Sequence, residues 1–289
     1  MKFSDIIIGT MRWGSWGANL STLEMQKCIE TALSLNFSTF DHADIYGDYC
    51  TEKDFGRAIS ELDLQREHYQ LISKCGIKLI NRERNQPIKS YDLSKEYILK
   101  SVDQSLKNLR TEYLDVLLLH RPSPLMNYEE LAGAFQVLRS SGKVRDFGVS
   151  NFSVQQFEDF YSYFPFLITN QIEISLNNTE RFFDGSLDLL KRKGCKPTAW
   201  SVLGDYFINP DSKQNQNIKK EIGVLTEKYN CKENQILIAF LRKHPSGIIP
   251  IVGTSKKETI TQLHDGLKVE LSTEDWFKLL EASRGKEVD

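Results

Sequence analysis

Eight times along this chain a short run of β-branched or apolar residues gives way to a longer segment with helical spacing. The strand-like runs are DIIIG (5–9), FSTFD (37–41), YQLISK (69–74), EYLDVLLLH (112–120), VRDFGVSN (144–151), LITNQIEI (167–174), PTAWSVLG (197–204) and GIIPIVGTS (247–255). The segments between them carry apolar residues at helical intervals, as in STLEMQKCIETALSLN (21–36), where Ser21 and Glu24 have the spacing of a capping box. EYLDVLLLH is almost continuously apolar, as a parallel strand covered on both faces must be. Strands alternating with helices specify a parallel sheet with right-handed crossovers. Eight such units in 289 residues fit a (β/α)8 TIM barrel better than an open doubly wound sheet. The open sheet also lacks its dinucleotide fingerprint, because GTMRWGSWG after the first strand does not have GxGxxG spacing. No Gly/Ser-rich linker or change of composition divides the chain, so residues 1–289 read as one domain.

Composition narrows the function. With 40% hydrophobic and 26% charged residues and a formal net charge of −2, the chain has the balance of a soluble globular protein. No basic stripe exists to neutralise phosphates, which argues against a nucleic-acid partner. The five scattered cysteines include no CxxC pair, so they point to reduced thiols in the cytoplasm rather than to a disulfide framework or zinc knuckle. No apolar run approaches the length of a membrane span.

In a barrel of this class, polar residues at the carboxyl ends of strands face the active-site mouth. Those ends carry Thr10, Asp41, Lys74, His120, Ser150 with Asn151, Gln171, Trp200 with Ser201, and Gly253 to Lys256. Tyr46 follows Asp41 by five residues in FDHADIYG. A tyrosine is a proton donor, but its ordinary pKa near 10 is high for work at neutral pH. A neighbouring ammonium is expected to lower it, and a carboxylate is needed to keep a buried lysine charged. Tyr46, Lys74, Asp41 and His120 therefore make an acid, its activator, the activator's counter-ion and a group to polarise a carbonyl. Singly, each has a plainer reading: Asp41 and Lys74 as a salt bridge, His120 as a core histidine, Trp200 as packing. Their convergence on one mouth is what points to chemistry. His42 and Asp44 have no third ligand in view, so no metal is expected.

At these residues the chain resembles the aldo-keto reductase superfamily over essentially its whole length. FDHADIYG resembles that family's D-x-A-x-x-Y-G segment, LISK its lysine strand, LLLHRP its histidine strand and KVRDFGVSNF its G-K-x-R-x-x-G-V-S-N-F signature. ITNQIEIS, AWSVLG and IPIVGTSK resemble the glutamine strand, the A-[YW]-S-x-L-G loop and the final phosphate-binding segment. The spellings DHADIYG, SKCGI and HRPSPLMN look like the bacterial YdhF-type branch.

The resemblance implies an oxidoreductase that reduces aldehydes or ketones with NADPH, with Tyr46 as general acid and Asp41, Lys74 and His120 as partners. It implies that Ser150, Asn151 and Gln171 hold the nicotinamide amide and that Trp200 stacks on the ring. Ser201, Leu203 and Gly204 would line the pyrophosphate, and Gly253, Thr254, Ser255 and Lys256 would reach the adenosine phosphate. Thr10, Met11, Asp41, Val202 and Thr259 complete the expected cofactor set. The stretch KKETITQL departs from the family's Arg/Gln then Glu-Asn pattern, so NADH stays open beside NADPH, with Lys256 and Lys257 available for a 2′-phosphate. Trp13 and His120, with Trp16, Tyr49 and the loop 121–127, are expected to wall a small, fairly apolar or aromatic carbonyl substrate. The polar stretch 205–217 has no evident cap and reads as a lid over the cofactor or a mobile loop. A monomer or small homo-oligomer is expected.

Two other functions fit parts of the pattern. One is a cofactor-binding redox-sensing or regulatory barrel with slow turnover, which would call for an N-terminal extension or a large exposed apolar face. The first strand begins only a few residues into the sequence, which argues against the extension. The other is a lyase or isomerase with Lys74 as Schiff-base amine.

Overall fold

The computed structural model describes residues 2–288. Eight parallel strands close into a barrel in the order β1, β10, β9, β8, β7, β6, β3, β2. They are β1 (Ile7–Gly9), β2 (Thr39–Asp41), β3 (Gln70–Cys75), β6 (Leu114–Leu119), β7 (Val144–Ser150), β8 (Leu167–Glu173), β9 (Thr198–Trp200) and β10 (Ile249–Val252). Each coincides with one of the eight strand-like runs, β3 running one residue past its run to Cys75 and β9 being much shorter than the run that contains it. Between β3 and the next barrel strand, β4 (Ile77–Lys78) and β5 (Ser90–Tyr91) form a small antiparallel ladder.

Helices cover the outside: α1 (Thr22–Ser34), α3 (Thr51–Ser60), α4 (Lys95–Leu109), α5 (Tyr128–Ser140), α6 (Val154–Tyr163), α7 (Ser186–Arg192), α8 (Lys213–Tyr229), α9 (Glu233–Arg242), α10 (Lys257–Gly266) and α11 (Thr273–Arg284), while the short α2 (Tyr46–Tyr49), with left-handed Gly47 and Asp48, lies at the mouth. Helix α1 starts at the anticipated box: Ser21 Oγ accepts from Glu24 N, and Glu24 accepts from Ser21 N. The stretch 205–217 is not uncapped. Ser212 accepts from Asn215 N and starts α8 at Lys213, so its last five residues are helical. Only 205–211 remain as irregular chain, and Asp205 ties them down by accepting from Asn215 Nδ2.

Strand pleat decides what enters the barrel. In β6, Val116 and Leu118 belong to the interior cluster with Ile7, Ile72 and Ile251, while Leu117 and Leu119 join the layer beneath the helices. The same parity turns Lys74, two residues beyond Ile72, inward at the carboxyl end. The register sets Asp41 against Ile72 and Lys74 against Leu118, which brings these groups to one end of the barrel. Gly148 leaves room there: a Cβ on it would lie 2.6 Å from Thr169 Cγ2 and 2.7 Å from Leu118 Cδ2.

Candidate active site

At the carboxyl mouth Lys74 is enclosed completely. Its Nζ donates to Asp41 Oδ2 at 2.7 Å, to the His42 carbonyl at 2.7 Å and to the Tyr46 hydroxyl at 3.1 Å. Gln171 Nε2 donates to the other carboxylate oxygen, Asp41 Oδ1, at 2.9 Å. Burial pushes the Lys74 ammonium toward neutrality, but Asp41 and Tyr46, by charge and hydrogen bond, outweigh it and raise its pKa. A lysine so enclosed has no free face for Schiff-base chemistry.

Tyr46 differs from expectation. Burial of the phenol is the largest influence and raises its pKa; the Lys74 charge works in the opposite direction without overcoming it. The hydroxyl is therefore held protonated. His120 follows β6 and its ring stands nearly perpendicular to that of Tyr46, with ring centres 6.0 Å apart. Burial, then the charges of Lys74, Arg121 and Lys89, hold it well below the ordinary histidine pKa, as the neutral imidazole. Its Nδ1 is buried without a hydrogen-bond partner.

Asp41, Tyr46 and His120 open onto a cavity of about 930 Å³. Met11, Gln171, Trp200, Ser201, Val202, Leu203, Gly204, Gly253, Thr254, Ser255, Lys256 and Thr259 also line it, as the sequence suggests. Ser150, Asn151 and Thr10 stand behind this wall. Ser150 Oγ donates to the Gln171 carbonyl at 3.0 Å, and Trp200 Nε1 donates to Asn151 Oδ1 at 3.1 Å, so the first two position wall residues. Thr10 Oγ1 donates to the Asp41 carbonyl at 2.9 Å and lies 2.8 Å from His42 Nδ1. His42 is fully buried against Phe55, with ring centres 4.3 Å apart, and burial pushes its pKa down to about 3. It is a neutral structural group beneath Thr10.

Three substrate-wall expectations fail. Trp13 is fully buried, pinned by its Nε1–H to the Thr254 carbonyl at 2.7 Å and packed near Phe55. Trp16, three residues on, is the one at the cavity, with its ring 6.2 Å from that of Tyr46. Tyr49 instead organises the segment beyond β4, where its hydroxyl accepts from Leu79 N and donates to Gln86, under Arg84. Of the loop 121–127 only Arg121 reaches the wall. Arg12, Ile45, Ile77, Leu79, Lys89 and Tyr91 line the cavity without having been singled out from the sequence, and Ile208 reaches it from the stretch 205–217. Ile77, Leu79, Lys89 and Tyr91 come from the β4–β5 excursion, whose two-residue strands leave no periodic signal.

Among the described residues no helix is long and apolar enough to cross a membrane, and no three His, Cys, Asp or Glu side chains gather as an ion site.

A closed eight-stranded parallel barrel with this mouth is the architecture of a large oxidoreductase family. Residues 5–284 match the Aldo/keto reductase family, and the chain belongs to it. It is 42% identical to the uncharacterized oxidoreductase YcsN of Bacillus subtilis, covering 100% of this chain and 97% of that protein. It is 39% identical to the oxidoreductase YdhF of Escherichia coli, over 99% and 96%. A 6-dehydroglucose reductase of Agrobacterium fabrum is 36% identical over 100% and 97%. In fold it is similar to an aldo/keto reductase from Klebsiella pneumoniae crystallised with NADP and acetate: TM-score 0.77, 22% identity, 96% of this chain and 90% of that one.

Proposed function

We propose that this family member is an NAD(P)H-dependent carbonyl reductase in which Tyr46 delivers the proton. The observation that carries the reading is the buried ammonium of Lys74, bonded at once to Asp41 and to the hydroxyl of Tyr46, both of which reach the wall of a large cavity. A carbonyl oxygen gaining negative charge beside Tyr46 takes the phenolic proton. The adjacent Lys74 charge then stabilises the phenolate left behind. Asp41 keeps Lys74 charged, and Gln171 holds Asp41 in place. Neutral His120 is the second polar group available to orient the carbonyl.

The cavity suits a nicotinamide cofactor. Gly253 faces open space, with only the Gly9 carbonyl 4.0 Å from where a Cβ would lie, so backbone is free to approach a ligand there. Helix α10 begins at that wall with no side chain capping its N–H groups, and Lys256 and Lys257 stand at its start. That combination suits a phosphate and favours NADPH, and the same cavity admits NADH. Trp200, fixed by Asn151, and Gln171 are the groups to orient the ring, and the bound cofactor supplies the hydride. Trp16, Ile45, Ile77, Leu79 and Tyr91 suit the apolar body of a carbonyl compound. The relative named for 6-dehydroglucose adds sugar aldehydes to the candidates.

The test follows NADPH and NADH oxidation with aromatic, aliphatic and sugar carbonyls in the natural protein and in Tyr46→Phe. The substitution should leave cofactor binding intact and lower turnover by about 10²–10⁴-fold, the range of positioned proton transfer. Equal turnover in both proteins removes Tyr46 from the mechanism.

A further inference from the structure

Two cations at the substrate end of the cavity have no counter-ion among the described residues. Arg121 Nη1 donates to the His120 carbonyl at 3.0 Å and to Ser150 Oγ at 3.3 Å, and its guanidinium carbon lies 5.4 Å from the centre of the Trp200 ring. Among the described residues its remaining nitrogens make no hydrogen bond and it joins no ion pair. Glu173 acts on it through space without pairing. Lys89 stands just before β5 and is exposed at the rim, also unpaired among the described residues. Neighbouring carboxylates are engaged elsewhere: Asp41 with Lys74, and Asp92 with Lys78 at 3.6 Å.

A half-buried guanidinium with spare donors beside an apolar wall is costly to leave unmatched. Burial already lowers the Arg121 pKa. The planar fork fits a carboxylate in two parallel hydrogen bonds, and a rim lysine adds attraction for the same charge. Lys256 also lines the cavity, on the segment assigned above to the phosphate, and Arg12 follows Met11 of the expected cofactor set. We infer that the carbonyl substrate carries a carboxylate, held by Arg121 with Lys89 while its apolar body lies against Trp16, Ile77 and Tyr91. The inference rests on the carbonyl-reductase reading and narrows its substrate to oxo-acids, whose products are hydroxy-acids.

The test compares 4-carboxybenzaldehyde with methyl 4-formylbenzoate, which share the ring and aldehyde and differ by one negative charge. In the natural protein kcat/KM should favour the acid by about 10- to 100-fold, the range of a hydrogen bond to a charged group. Lys89→Met, at an exposed position that leaves the fold intact, should shrink the acid-to-ester ratio, and Arg121→Gln should bring it close to one. Raised salt should reduce the ratio in the natural protein. Reduction of both aldehydes with equal efficiency, or a ratio unmoved by both substitutions, overturns the inference and leaves the reductase reading standing. Arg121→Gln weakening cofactor binding without changing the ratio also overturns it, assigning Arg121 to the cofactor. Failure of every carbonyl with either cofactor overturns the reductase reading itself, and the inference with it.

Discussion

Asp41→Asn tests the organisation of the site through one buried charge. The amide keeps the shape of the carboxylate and removes its charge. Lys74 would retain only neutral acceptors: the amide oxygen itself, the His42 carbonyl at 2.7 Å and the Tyr46 hydroxyl at 3.1 Å. Removing one partner of a buried ion pair costs about 3–5 kcal/mol. Lys74 can limit that cost by shedding its proton, at about 1.4 kcal/mol for each pH unit below its ordinary pKa of about 10.4. That step costs about 4.6 kcal/mol near pH 7 and about 1.4 kcal/mol near pH 9.4. In the natural protein the folded Lys74 pKa is raised, so its contribution is complete below the ordinary lysine value and is lost only as pH climbs through the folded one. In the variant the folded pKa is depressed, the unfolded chain binds more protons between the two values, and stability rises with pH there. Guanidinium unfolding of both proteins at the two pH values, at constant ionic strength, measures the gap. It should be at least about 3 kcal/mol at the lower pH and narrow by up to about 3.3 kcal/mol at the higher, at about 1.4 kcal/mol per pH unit. A gap that stays constant, or one below about 1 kcal/mol near neutrality, refutes the role of Asp41 as the countercharge for Lys74.

Other consequences follow from the same geometry. His42 is buried neutral with its pKa pushed down to about 3, so below the ordinary histidine value the unfolded chain takes up a proton that the fold refuses. His42→Gln should flatten the fall of stability on acidification by about 1.4 kcal/mol per pH unit between about pH 6 and 4, read from unfolding midpoints. Gly204 has φ +55°, and a Cβ there would fall 2.1 Å from Asn177 Oδ1. Gly204→Ala should therefore distort the Ser201–Gly204 turn, costing about 1–3 kcal/mol of stability and weakening cofactor binding, measured by fluorescence titration.

The barrel was legible because each of its strands announces itself twice, by a short apolar run and by the helical period that follows. The inward direction of Asp41, Lys74 and His120 follows from pleat once the strand ends are fixed, so the central constellation was legible too. Two features were hidden for physical reasons. Trp13 and Trp16 lie three residues apart on a loop with no period, and distant contacts, the hydrogen bond from Trp13 to the Thr254 carbonyl 241 residues away and packing against Phe55, hold Trp13 in the core. The segment holding Lys89 and Tyr91 is polar and pairs through two-residue strands, held in part by Leu79 N donating to the Tyr49 hydroxyl. Contacts that distant in sequence leave no local mark, and they set the substrate wall more than the cofactor wall.

The raised pKa of Tyr46 changes the argument about the acid. The sequence suggested that Lys74 must lower it for proton delivery near neutral pH. The folded site does the reverse, because burial outweighs the ammonium. A proton donor, however, has to keep its proton until the reaction calls for it. On the proposed reading the acceptor is an oxygen becoming an alkoxide, whose conjugate acid is about as weak as water, near 15.7. A phenol, ordinarily near 10, is by nature a much stronger acid than such an alcohol, and that difference favours transfer of its proton to the alkoxide. Depression is needed only once the phenolate forms, and at that moment Lys74, 3.1 Å away and held charged by Asp41, faces a full negative charge instead of a dipole. The site thus keeps Tyr46 protonated at rest and concentrates its stabilisation on the state in which the proton has gone.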